Sequence, residues 1–196
     1  MRSNFFVLAI GLLAADSAHA DPCQPRRSRP AATYSLAVSG GPFDGANVQG
    51  VDQEGSLLLF NPTFSGVQPR SYTLEPATGR LRDVKSGNYI CAYYADTATP
   101  SGTAMIANCQ SFNTGDDKPY NYLNCKIANS QLSCTAALTV CTIDEDTFET
   151  ICTTPQGNVV LDMFYYQSRR SNGDYWFISS GSPNGYTSIN VAAVKQ

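Results

Sequence analysis

Six of the seven cysteines in this 196-residue chain lie between residues 91 and 152, and that clustering constrains the fold more than any other feature. They are Cys91, Cys109, Cys125, Cys134, Cys141 and Cys152. Thiols in an oxidising compartment pair, so the cluster reads as a disulfide framework. The preferred pairing is sequence-local: Cys91 with Cys109, Cys125 with Cys134, and Cys141 with Cys152. Each pair brackets a plausible hairpin, whose strands would bring the two β-carbons within bonding distance. Short-loop bridges of this kind add roughly 2–4 kcal/mol each. No Cys-x2-Cys knuckle occurs, which disfavours zinc, and no metal or cofactor is expected.

The N-terminus points to the same compartment. Arg2 is followed by the apolar run Phe5 to Ala15 and by the small-x-small site Ala18-His19-Ala20. This is the pattern of a signal peptide over residues 1–20, with Asp21 opening the mature chain. The run is too short to span a bilayer. No second run of membrane length follows, and no lipid anchor is expected. The expected location is therefore extracellular or in a cell wall, with no membrane span.

His19 is the only histidine. Without it the mature chain cannot run Ser-His-Asp or Cys-His catalysis and lacks the commonest transition-metal ligand. The formal charge is −3, with no basic stripe. Nucleic acid is thus an improbable partner.

Cys23 stands apart, in the stretch Cys23-Gln24-Pro25-Arg26-Arg27-Ser28-Arg29-Pro30. The stretch has no core-forming residues and is expected to be a flexible segment over 21–31. Two fates for Cys23 remain open: removal by processing after Arg27, or a free or intermolecular thiol. A single all-β domain is expected over 32–196.

Within that domain, short strands alternate with turn residues. Tyr34-Ser35-Leu36-Ala37-Val38 has period two, and Ser39-Gly40-Gly41-Pro42 stops it. Ser71 to Leu74 leads through Pro76-Ala77-Thr78-Gly79 into Arg80-Leu81-Arg82, a hairpin by its turn chemistry. Further strands are expected at 89–94, 104–107, 125–127, 131–134, 138–141 and 188–194. Val159 to Gln167 and Tyr175 to Ile178 flank a loop carrying Asn172-Gly173, a strong turn dipeptide. No helical period is sustained over a helix length. Strands at this spacing argue for a barrel or a sandwich.

Residues 72–109 resemble one lobe of a ricin-B-type β-trefoil. An aromatic-led strand is followed by the turn Gly79-Arg80-Leu81, by Ser86-Gly87 ahead of Cys91, and by a Gly102-led strand ending at Cys109. Residues 34–74 carry a looser copy, and 120–196 have room for a third. The Gln-x-Trp signature of that family is absent. The whole chain is also similar to small secreted cysteine-containing proteins of filamentous fungi, through the hairpins Tyr72 to Leu81 and Cys125 to Cys134. The resemblance implies an all-β, trefoil-like barrel with local disulfides; a β-sandwich is the alternative.

Three constellations could carry function. The acids Asp144, Glu145, Asp146 and Glu149 lie between Cys141 and Cys152. Paired carboxylates can serve a hydrolase, but only if one sits in an apolar environment; solvated acids, or a weak calcium site, are the competing readings. The aromatic set comprises Tyr93, Tyr94, Tyr120, Tyr122, Phe164, Tyr165, Tyr166, Tyr175, Trp176 and Phe177. Rings with a polar rim make a sugar platform. Tyr165, Tyr166, Tyr175 and Trp176, with Asn172 and Asp174, are the candidate ligand contacts. Neighbours on a strand face opposite ways, so one member of each pair should be core, with Trp176 and Phe164 inward. Arg169 and Arg170, in the loop 168–174, are candidate contacts for a protein partner. The favoured reading is a non-enzymatic secreted protein that recognises carbohydrate or cell-wall material. A protein-interaction module (a protease inhibitor or an effector) and a carboxylate-dependent hydrolase are the alternatives.

Overall fold

The computed structural model describes residues 31–62, 65–96, 98–157, 159–168 and 173–196, together with the backbone of Arg169. The expected signal peptide, Cys23, Arg26-Arg27, Arg170 and Asn172 lie outside the described residues, as does the Arg169 side chain. The architecture is all-β. The first strands are β1 (Thr33–Ser39), β2 (Gln49–Gly50), β3 (Leu59–Phe60), β4 (Gln68–Pro69), β5 (Ser71–Leu74) and β6 (Leu81–Asp83). Then come β7 (Tyr89–Tyr93), β8 (Thr103–Cys109), β9 (Tyr120–Tyr122), β10 (Asn124–Ala128), β11 (Gln131–Ala137) and β12 (Val140–Ile143). The last are β13 (Thr150–Thr153), β14 (Val160–Leu161), β15 (Met163–Arg169), β16 (Gly173–Ser179), β17 (Thr187–Ser188) and β18 (Asn190–Lys195).

Alternation builds the curled sheet. Along β11, Leu132, Cys134 and Ala136 point inward and their neighbours outward; β1 buries Leu36 and Val38 in the same way. A strand with period two can hide one face and wet the other, which suits a curved antiparallel sheet. Six strands follow one another around it in the order β10-β11-β18-β1-β5-β6. At its two ends, the Cys125 N–H donates to the Gly79 carbonyl at 2.7 Å, just ahead of β6. Asn129 and Ser130 both have positive φ between β10 and β11. That is the two-residue turn whose twist matches a tight hairpin.

Three further hairpins close one end of this sheet: β2–β3, β7–β8 and β15–β16. Their second strands meet. β16 pairs with β3 through Tyr175 and Leu59, and with β8 through Phe177 and Met105. The Leu58 N–H donates to the Ile106 carbonyl at 2.8 Å, completing the triangle. The sheet is therefore one continuous curled surface rather than two facing layers of a sandwich. Beneath the hairpins sits the main core, with Trp176, Tyr72, Phe60, Leu36, Leu81, Ile90, Ile106 and Val191 all buried. Above them lies a second, smaller cluster of Leu59, Met105, Tyr165, Tyr175 and Phe177.

The disulfides join Cys91 to Cys109, Cys125 to Cys134 and Cys141 to Cys152. The last two link residues directly opposite in register, with Cα–Cα distances of 4.0 and 4.1 Å. Such close approach marks the non-hydrogen-bonded positions of an antiparallel ladder, where side chains come nearest. Cys91 and Cys109 lie diagonally on β7 and β8, inside the protein. The Cys141–Cys152 ribbon, β12–β13, is a separate two-stranded sheet. Two strands alone are marginal in water, so the bridge supplies what packing does not.

Gly79 sits where the ends of the curled sheet approach. Its φ is +69°, and a Cβ there would lie 3.0 Å from the Cys125 carbonyl oxygen and 2.3 Å from Asn124 Oδ1. Gly79→Ala should lower the unfolding free energy by about 1–3 kcal/mol through strain and lost closure. Urea unfolding checks this, and an unchanged midpoint would show that the closure carries little.

Candidate functional site

The β15–β16 hairpin does not present its rings to solvent. Trp176 is fully buried, with Phe164 and Phe60 centroids at 5.1 and 5.9 Å. Tyr165 and Tyr175 are also buried, on the opposite side, in the second cluster. Alternation along the strands holds, but both faces of this hairpin are covered, so both members of the Tyr175–Trp176 pair are core. The expectation that these residues would stack on a ligand fails for that reason. Tyr166 alone of the four is half-buried, and its ring meets Phe43 edge-on at 4.8 Å. Asp174 is buried as well; it accepts hydrogen bonds from Ser168 Oγ and, at 3.4 Å, from Asn61 Nδ2.

Half-exposed rings gather instead on β7 and β9. Register pairs Cys91 with Tyr122 and Tyr93 with Tyr120, so Tyr89, Tyr93, Tyr120 and Tyr122 share one face. The buried Cys91–Cys109 bridge lies under the same row. Tyr89 and Tyr122 meet edge-on at 5.4 Å, and Tyr93 and Tyr120 lie at 4.8 Å with planes 32° apart. The Arg80 guanidinium sits 3.7 Å from the Tyr122 centroid, and both Arg80 and Arg82 lie 5.9 Å from that of Tyr89. A guanidinium over an aromatic face is attracted by the ring quadrupole. The pattern Arg80-Leu81-Arg82 produces this directly: Leu81 is buried, and the two arginines flank it on the outside.

Polar groups rim the rings. The Tyr89 hydroxyl donates to Glu75 Oε1 at 2.9 Å, and this bond, with burial, raises its pKa. Burial, joined by the neighbouring Tyr93, pushes Tyr120 up to about 12. Burial also raises Tyr93. These three phenols are therefore neutral donors at physiological pH. Nearby, Asn113 Nδ2 donates to Glu54 Oε1 at 2.6 Å. The sequence names Tyr93, Tyr120 and Tyr122 as aromatic candidates but not Tyr89, and it gives no sign that Arg80 and Arg82 lie over Tyr122 and Tyr89. That depends on the β6–β7 and β7–β9 pairings, which bring distant segments together.

A charged cluster also escapes sequence reasoning. Buried Arg70 bridges Asp83, at 2.6 Å, and Asp52, which also meets Lys85 at 2.7 Å. Lys85 and Arg70 together hold the Asp52 carboxyl below its usual range. Asp83 also accepts the Lys85 and Ser86 N–H groups at 2.8 and 2.9 Å. The cluster fixes the turn after β6 through Arg70 Nε and Nη1, while Arg70 Nη2 is buried without a hydrogen-bond partner.

A cleft of about 610 Å³ lies between the loop Thr99–Thr103 and the β12–β13 ribbon. Its walls include Tyr94, Asp96, Leu138 to Ile143, Glu145 and Phe148. Of the acids in this ribbon, Asp144 is committed to its own turn. Its Oδ1 accepts the Thr147 N–H at 2.8 Å, the Asp146 N–H at 3.0 Å and the Thr147 hydroxyl at 3.0 Å. Among the described residues, no group of three or more His, Cys, Asp or Glu could hold a metal ion. No helix among them is long and apolar enough to cross a membrane.

The Thr147 and Asp146 bonds hold the Asp144 pKa below its usual value. A lowered folded-state pKa stabilises the turn above the unfolded value of about 3.9, and that stabilisation is lost as pH falls through the folded value. Amide exchange at Asp146 and Thr147 should accelerate below about pH 4, beyond its intrinsic pH dependence, and Asp144→Ala should show no such step. Protection that ignores pH in the native chain would contradict this.

Comparison with known proteins finds no family model, no curated protein and no solved structure that matches the chain.

Proposed function

We propose that this is a secreted, non-catalytic protein that recognises carbohydrate or cell-wall material through the tyrosine face of β7 and β9. One observation carries the reading. Four half-buried tyrosines lie side by side, with arginines over two of them and Glu75 at the rim. Rings give a sugar an apolar surface to lie on, and guanidinium, carboxylate and phenol groups satisfy its hydroxyls.

Secretion is supported by the N-terminal pattern and by three disulfides, which persist in oxidising compartments. The scaffold we propose is a β-trefoil. Support comes from a threefold order along the chain: a wall strand, a closing hairpin and a return strand, over residues 33–74, 81–128 and 131–195. The β12–β13 ribbon is an insertion in the third unit. Similarity to small fungal secreted proteins and to the ricin-B lobe agrees with this, on the residues named above. A non-catalytic role accords with a mature chain lacking histidine and with the commitment of Asp144 to its turn.

Pull-down on insoluble cell-wall polysaccharides, followed by a glycan array, tests the reading. Tyr122→Ala and Tyr93→Ala should each weaken binding about tenfold, the equivalent of about 1.4 kcal/mol. Trp176→Phe, a change inside the core, should leave affinity unaltered. Absence of binding to every glycan, or binding indifferent to both tyrosine changes, would defeat the proposal.

A further inference from the structure

We propose that the cleft beside β12 accepts an extended, basic polypeptide segment of another protein, which adds to the free edge of the β12–β13 ribbon as a third strand. This does not rest on glycan recognition by the tyrosine face.

The cleft runs along an edge rather than a face. Leu138, Thr139, Val140, Cys141, Thr142 and Ile143 all line it. Successive side chains on a strand point to opposite faces, so a surface touched by every residue in turn must lie beside the backbone. That backbone has hydrogen-bonding groups to offer. β12 pairs with β13 alone. Cys141 stands opposite Cys152 with Cα atoms 4.1 Å apart, a non-hydrogen-bonded position, and Ile143 stands opposite Thr150 two residues on. The Asp144 N–H donates to the Glu149 carbonyl at 2.9 Å, which fixes the alternation. At non-hydrogen-bonded positions, the N–H and C=O point away from the partner strand. The outward groups of β12 are thus those of Cys141 and Ile143. Strand addition takes affinity from such groups and specificity from side chains on alternate positions.

The side chains around the edge define the occupant. Phe148, Ile143, Val140 and Ile151 are 81, 49, 44 and 50 % exposed. Large apolar groups clustered on a two-stranded ribbon signal a contact surface. Carboxylates stand on both walls, Asp96 on one and Glu145 on the other. Asp144, Asp146 and Glu149 add to the field, and no lysine or arginine occurs from Ile127 to Ser168. A second copy of the ribbon would set four carboxylates against four. A segment alternating β-branched and basic residues suits both the edge and the charge.

The probe is an acetylated octapeptide alternating valine and lysine, titrated into the full secreted chain and followed by backbone NMR. Saturable binding should shift the amides of Cys141 and Ile143 and slow their exchange. The same peptide N-methylated at alternate residues should bind at least tenfold more weakly. Ile143→Pro removes one outward N–H without touching the β12–β13 ladder and should produce a similar loss. Thr150→Pro, on the far edge, should not. Unchanged amide shifts in β11 and an intact Cys141–Cys152 bridge show that each variant is folded. Absence of binding, equal binding of the N-methylated peptide, or indifference to Ile143→Pro overturns the proposal. So does self-association through this edge in sedimentation, or a soluble glycan occupying it.

Discussion

The structure depends on three hairpins meeting over one end of a curled sheet. Pairing of β16 with both β3 and β8 joins segments more than a hundred residues apart at its widest. It places Trp176 at the centre of the main core, against Phe60 and Phe164. Because the β15–β16 hairpin is covered on both sides, its aromatic residues divide between two apolar clusters. That double burial keeps the rings of Tyr165, Tyr175 and Trp176 out of solvent.

The same constraint explains what was legible in the residues. Period-two alternation located β1, and the strands expected at 131–134 and 188–194 correspond to β11 and β18. The Pro76-Ala77-Thr78-Gly79 stretch announced a tight turn, and cysteine spacing pointed to local bridges because each pair closes a hairpin. Alternation placed Trp176 and Phe164 inward, as found, but misled at Tyr165 and Tyr175. It says that neighbours face opposite ways, yet it cannot say that the second face is also covered. Long-range pairing was invisible for the same reason, so neither the Arg70 cluster nor the placing of Arg80 over Tyr122 could be foreseen.

Charge is deployed unevenly. Arg70 and Asp83 are buried as a pair, a local clamp on the turn after β6. Arg80 and Arg82 remain outside, where their guanidinium groups cover tyrosine faces while keeping contact with water. The acids of the β12–β13 ribbon lie at the tip of an element that contributes little to the main core. The protein thus separates a rigid, bridged scaffold from two outward surfaces of different chemistry, one aromatic and basic, the other apolar and acidic.

Hydroxyl-radical footprinting, with and without a cell-wall oligosaccharide, tests that separation most directly. The account predicts oxidation at Tyr89, Tyr93, Tyr120 and Tyr122 in the free protein and protection of this group in the complex, with Tyr165 and Tyr175 unreactive in both. Ligand-dependent protection at Tyr165 or Tyr175, with the β7–β9 tyrosines indifferent, would contradict it.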